Sequence, residues 1–177
     1  PHGDTDKNIT ATEVVNKYSQ QDLVDIFRKN CEEKFNKEIA QNIVSYRKKG
    51  KITKVGQLVE IILQSYREKL KTDKEVPSIG GIHPATKVFQ ALRIEVNDEF
   101  EVLKQALPQA VELLVTKGRL AVISFHSLED RIIKQYFRLQ EKQTLKIITK
   151  KPVVASRQEI KQNPRARSAK LRVIEKI

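Results

Sequence analysis

The sequence predicts an α/β protein in which an all-helical region precedes a small group of strands, and three observations carry that prediction. Two capping boxes, Thr10-Ala-Thr-Glu13 and Ser19-Gln-Gln-Asp22, open a run of helical apolar periodicity in the first part of the chain. Leu120 to Ile123 follows Gly118 as an apolar run without alternation, the pattern of a parallel strand buried on both faces. Ala169 to Glu175 alternates, with Leu171, Val173 and Glu175 opposite Arg172 and Ile174, which suits an edge strand.

The elements follow in order. Ile9 can staple onto Val14 and Tyr18 onto Leu23, so two short helices meet near Ser19, the second burying Leu23, Ile26 and Phe27. A third helix, from Glu33 to Lys48, places Phe35, Ile39 and Ile43 on one stripe, and Lys48-Lys49-Gly50-Lys51 ends it. A fourth, capped by Thr53, runs to Leu70 with Val55, Leu58, Val59, Ile62 and Tyr66 inward. These stripes read as core rather than as binding faces. Thr72 to Ile82, with Pro77, Gly80 and Gly81, reads as a flexible loop and the best candidate linker.

Pro84 then takes the first position of a helix behind His83, with Phe89, Leu92 and Val96 on one side and Lys87, Gln90 and Arg93 on the other. The next helix begins near Asp98 and carries Phe100, Leu103, Leu107, Ala110, Val111 and Leu114, bent or restarted at Pro108. It leads into the strand at Leu120. After that strand Ser127 is expected to cap the N–H of Asp130 and open a helix through Ile132, Ile133, Tyr136 and Phe137. The turn Ser124-Phe125-His126-Ser127 therefore lies at the carboxyl end of a strand, where open α/β sheets bind ligands. A further strand is expected over Leu145 to Thr149, and the segments Lys150-Lys151-Pro152 and Asn163 to Ser168 read as loop. An apolar strand such as Leu120 to Ile123 wants neighbours on both edges, yet only two other strands are foreseen, both after it. Half of a sheet is expected to be missing.

Length and composition bound the function. A chain of 177 residues with 39% hydrophobic content can build a core. No apolar stretch approaches the roughly 20 residues that span a bilayer, so a soluble, cytoplasmic protein with no membrane partner is expected. Cys31 is the single cysteine, which excludes an internal disulfide framework. The chain lacks Met, and Pro1-His2-Gly3 reads as a tag scar. Net charge is +12, distributed as +3 over residues 1–80, +1 over 81–138 and +8 over 139–177. Positive charge concentrated in this way favours a polyanion, most simply nucleic acid, against the plainer reading of a solvated basic surface.

Three long segments carry a resemblance: His83-Pro-Ala-Thr-Lys-Val-Phe-Gln-Ala-Leu-Arg-Ile-Glu-Val-Asn97, Gly118-Arg-Leu-Ala-Val-Ile-Ser-Phe-His-Ser-Leu-Glu-Asp-Arg131, and Asn163-Pro-Arg-Ala-Arg-Ser-Ala-Lys-Leu-Arg-Val173. In these the chain resembles the ribosomal RNA small-subunit methyltransferase H family, the MraW-like cytosine-N4 methyltransferases, from Ile9 onward. The resemblance implies a Rossmann-like methyltransferase domain interrupted by a helical substrate-recognition domain, using S-adenosylmethionine to methylate a cytidine of small-subunit ribosomal RNA. Residues 1–9 would be scar and linker, 10–95 the helical domain, and 96–177 the second half of the methyltransferase domain. The family's Gly-rich cofactor loop, acidic ribose-binding residue and central catalytic strand have no equivalent here. Gly80-Gly81 follows no strand, so no cofactor-binding residue is assigned in this chain. The expectation is a C-terminal portion, inactive alone, that holds RNA and completes the sheet.

Methyl transfer to an exocyclic amine needs an in-line nitrogen and acceptors that orient it and help remove its proton. Ser124, His126 and Ser127 are the catalytic-wall candidates, although His126 and Ser127 also suit structural roles. Asp130 and Arg131 could form an ion pair or serve as a cap. Lys87, Arg93, Lys150, Lys151, Arg165 and Arg167 are the candidate RNA contacts, positioning phosphates rather than reading bases. No metal is expected, since His2, His83 and His126 are scattered and Cys31 is alone. The expected partner is small-subunit ribosomal RNA or the small ribosomal subunit, with an exposed sheet edge as the surface for a homodimer. The alternative is a non-catalytic basic module binding RNA or a protein.

Overall fold

The computed structural model describes residues 9–72, 74, 78, 81–141 and 143–177. Two compact units divide the chain, Pro1–Asp98 and Glu99–Ile177. The expected scar at the amino end lies outside the described residues, as does much of the expected linker at Thr72 to Ile82.

The first unit is helical: α1 Ala11–Lys17, α2 Gln20–Cys31, α3 Asn36–Arg47, α4 Val55–Leu70 and α5 Pro84–Asn97. Both capping boxes form. Thr10 Oγ1 accepts from the Glu13 N–H at 3.2 Å and Glu13 returns the bond to the Thr10 N–H at 3.1 Å, while Ser19 and Asp22 repeat the exchange. At α4 the cap differs from expectation. The Gln57 side chain accepts from the N–H groups of Thr53 and Lys54, both at 2.9 Å, so the helix is closed from inside rather than by the Thr53 hydroxyl. Val55, expected inward, is 68% exposed because it begins the first turn on the solvent side.

Val14, Leu23, Phe27, Ile39, Ile43, Ile62, Val88 and Leu92 form the buried centre of this unit, each fully buried side chain contributing about 1.5–3 kcal/mol of hydrophobic transfer. Helix α5 buries more than its expected stripe, adding Ala85, Val88, Ala91 and Ile94, which fits a helix packed against several neighbours at once. Asn16 pairs its amide with both backbone groups of Ile52, at 2.8 and 2.9 Å, fixing the segment between α3 and α4 against α1. Glu95 accepts from Tyr18 Oη at 2.9 Å and from Asn30 Nδ2 at 3.4 Å. With burial as the main cause, that arrangement pushes the Tyr18 hydroxyl up to about 12. Asp98 closes α5 in left-handed backbone, φ 49°.

The second unit runs α6 Glu99–Glu112, β1 Arg119–Ser124, α7 Ser127–Gln140, β2 Leu145–Ile147, β3 Val153–Val154, α8 Arg157–Gln162, a 3-10 helix Pro164–Ser168 and β4 Lys170–Lys176. The result is a mixed α/β chain with a small sheet, ordered β1-β4-β2 with β3 also on β4, and every pairing is antiparallel. Two expectations are corrected. β4, read as an edge from its alternation, is the central strand because three short strands converge on it. β1 is antiparallel, with Leu120 opposite Ile174 and Val122 opposite Arg172, and it is covered on one face only. Leu120 and Val122 pack with Leu107, Val111, Ile133, Phe137 and Ile174, whereas Ile123 is 58% exposed. An apolar run without alternation is consistent with burial on two faces but does not fix strand direction.

β3, α8 and the 3-10 helix lie where loop was expected. Val153-Val154 is too short to announce a strand, and Ser156 caps α8 by accepting from the Glu159 N–H at 3.1 Å. Helix α6 continues through Pro108 rather than restarting there.

Candidate functional site

The corner between β1 and α7 is built by a cap one residue earlier than the sequence suggested. His126, not Ser127, is the N-cap: its Nδ1 accepts from the Glu129 N–H at 3.3 Å. Glu129 Oε2 accepts in return from the N–H groups of Phe125 and His126, at 2.9 and 3.2 Å. Ser127 is exposed in the first helical turn and does not cap Asp130. Burial by itself would raise the Glu129 carboxyl, but the His126 ring and these backbone donors outweigh it and hold the group below its ordinary range.

Asp130 turns instead to β4. Arg172 donates to it through Nε at 2.6 Å and Nη2 at 3.1 Å, with Lys170 Nζ 3.8 Å away, a buried bidentate pair that fastens α7 to the sheet. The Arg172 hydrogen bond is the main reason the Asp130 carboxyl lies below the usual aspartate range, outweighing the opposing effect of burial.

Two buried polar atoms at this corner have no hydrogen-bond partner: Ser124 Oγ and His126 Nε2. Nε2 lies 3.2 Å from Glu129 Oε1, but without hydrogen-bond geometry. Buried polar groups are nearly always paired, so unsatisfied ones at a strand's end mark places where a ligand can bind. Phe125 stands 57% exposed beside them, and Phe100 meets the His126 ring at 5.9 Å.

Glu99 joins His126 and Glu129 in a trio whose ligand atoms lie within 4.8 Å of one another, a grouping the sequence hid because Glu99 comes from α6. The hydrogen bonding argues against a cation there. With Nδ1 accepting from a backbone N–H, the neutral ring carries its proton on Nε2, the atom a metal would need.

The candidate RNA contacts separate into groups. Lys87 lines a cleft of about 280 Å³ in the first unit together with Glu33, Phe35, Tyr66 and His83, while Arg93 is exposed further along α5 and does not line it. Lys150 lines a second cavity of about 220 Å³, in the second unit, with Lys134, Arg138, Glu141 and Arg172, the last already paired with Asp130. Sequence reading missed Lys134 and Arg138. Their spacing along α7 places them on one face, and only the fold of the loop after β2 brings Lys150 to it. Lys151 is exposed nearby. Arg165 and Arg167 project from the 3-10 helix on either side of buried Ala166.

Among the described residues no glycine makes the strand-to-helix loop that cradles S-adenosylmethionine. Among the described glycines, Gly56 lies inside α4, Gly50 and Gly81 belong to the helical unit, and Gly118 precedes β1, where a Cβ would stand 2.8 Å from the Val115 carbonyl. None follows a strand to open a helix, as a cofactor loop requires.

Residues 3–177 match the MraW methylase family. The chain is 47% identical over 171 residues to a ribosomal RNA small subunit methyltransferase H of Sulfurihydrogenibium sp. (strain YO3AOP1), covering 96% of this chain and 56% of the relative. It is 46% identical over 175 residues to the protein of the same name from Sulfurihydrogenibium azorense, covering 98% of this chain and 57% of that relative. The chain thus spans a little over half the length of these curated relatives. The segments carrying the motifs occupy α5, the β1–α7 corner and the 3-10 helix with β4, and the family match runs through all of them: the chain belongs to the MraW methylase family.

Proposed function

We propose that this chain is the RNA-holding and sheet-completing portion of an S-adenosylmethionine-dependent methyltransferase that modifies the exocyclic amine of a cytidine in small-subunit ribosomal RNA. The relatives' name supports methylation of small-subunit ribosomal RNA; the cytidine amine and the methyl donor are what the family resemblance implies. In this reading the sheet is the second half of a Rossmann-like domain, and the open edge of β1 is where the remaining strands dock. That edge is also where a second copy would pair if the chain dimerised. Ser124 Oγ and His126 Nε2 form one wall of the pocket, where they orient the substrate, and Ser127 lies at its rim. No chemical step is assigned to them, because the methyl donor is held by residues outside this chain.

The cations supply the grip on RNA. Lys150, Lys151, Arg165 and Arg167 belong to the most basic part of the sequence, and Lys134 and Arg138 of α7 add to the cations around Lys150, so that phosphates meet two basic groups. Lys87 and Arg93 do so on the helical unit, which is the substrate-recognition domain in this reading. Reversing charge at Arg165 and Arg167 is expected to weaken binding of small-subunit RNA and flatten its salt dependence by about one unit of slope per lost phosphate contact. An unchanged slope rejects the assignment. The basic surface alone would also suit a non-catalytic RNA-binding module; a Gly-rich strand-turn-helix in the reading frame ahead of Pro1 decides for the enzyme.

A further inference from the structure

The cleft in the helical unit contains a group that structure alone does not explain. Glu33, in the turn between α2 and α3, is 2% exposed. Its Oε1 is fully engaged, accepting from Tyr66 Oη at 2.7 Å and from the Phe35 N–H at 3.0 Å. Its Oε2 is buried and has no partner. A carboxylate oxygen taken out of water without a donor is strongly unfavourable, so retaining one in the wall of a cleft points to a ligand that supplies the donor. Burial first, and the bond to Glu33 second, push the Tyr66 hydroxyl well up, which keeps it a donor to Oε1 and leaves only Oε2 to a ligand.

The other walls say what kind of ligand. Phe35 and Tyr66 meet edge to face, with ring centroids 4.7 Å apart, and present aromatic surface to a cleft of about 280 Å³. Lys34, His83 and Lys87 also line the cleft. An aromatic wall, one buried acceptor and basic side chains are the parts of a nucleotide site: a planar base against the rings, its donor on the carboxylate, its phosphate on the cations.

We propose that this cleft receives one unstacked, amine-bearing nucleobase of the bound RNA, cytosine or adenine, whose exocyclic amine donates to Glu33 Oε2. The proposal rests on the RNA-binding reading and adds a base-reading pocket to it. A single free oxygen disfavours guanine, whose paired N–H groups suit a carboxylate with both oxygens available. Uracil presents one N–H between two carbonyl oxygens, which the carboxylate repels. Carboxylate acceptance from a cytosine amine is an established mode of base discrimination.

The test is fluorescence-anisotropy titration of the 177-residue chain with single-stranded oligocytidylate, oligoadenylate and oligouridylate at low salt. The first two are expected to bind about tenfold more tightly than the third, the scale of one hydrogen bond to a charged acceptor. Glu33→Gln keeps an oxygen for Tyr66 and Phe35 but puts an amide N–H₂ in place of Oε2, so the preference should invert toward uridine. Lys87→Ala should weaken all three oligonucleotides alike. Should Glu33→Gln fail to fold, oligocytidylate must shift the Phe35 and Tyr66 ring resonances of the parent chain more than oligouridylate does. Equal affinities, an unchanged preference in Glu33→Gln, or unmoved ring resonances overturn the pocket and leave RNA binding standing. Failure to bind any RNA overturns both.

Discussion

Asp130 and Arg172 meet through two hydrogen bonds in a site where both side chains are nearly excluded from water. Replacing one member strands the other's charge, which typically costs about 3–5 kcal/mol. Asp130→Asn is therefore expected to lower the urea midpoint strongly, whereas the same change at Asp25, whose pairs with Arg28 and Lys29 are partly exposed, should cost under about 1 kcal/mol. The pair also sets an acid response. Because the folded Asp130 carboxyl lies below its unfolded value near 3.9, its contribution is complete above that value and is lost as pH falls through the lower folded value. Denaturant titrations at falling pH should show this loss in the parent chain and not in Asp130→Asn. The sequence offered Arg131 as the partner of Asp130, or a cap as its role; the structure pairs it with Arg172. That partner was not legible, because Arg172 comes from a strand whose register only the finished sheet defines.

Helix starts were the most legible elements where the capping residue is a hydroxyl, as at Thr10 and Ser19. At α7 the same logic chose the wrong residue. Ser127 followed by Asp130 satisfies the pattern, but His126 followed by Glu129 satisfies it in space, since an imidazole nitrogen accepts as a hydroxyl does. His126→Ala should therefore cost about 1 kcal/mol of stability, His126→Asn only a few tenths, and Ser127→Ala little, as read by thermal unfolding. Equal losses at His126 and Ser127 would return the cap to the hydroxyl. Strands were harder. An apolar run revealed β1 and alternation revealed β4, but which of them sits centrally depends on pairings among segments as short as Val153-Val154, which carry almost no pattern of their own.

At the scale of the whole molecule, the sequence led to the expectation of a helical part followed by a strand-bearing part, and of an incomplete sheet. What it could not carry is the pairing of distant groups: Lys150 with Lys134 and Arg138, and Glu33 with Tyr66. The proposed sheet-completing role rests on the edge of β1 left without a strand neighbour among the described residues, on the exposed Ile123 and Phe125 beside it, and on a length a little over half that of the relatives. The most direct measurement is calorimetric titration of S-adenosylmethionine into the 177-residue chain. No saturable heat is predicted, because no described glycine lies between a strand and a helix to cradle the cofactor; saturable binding at micromolar concentration would contradict the account.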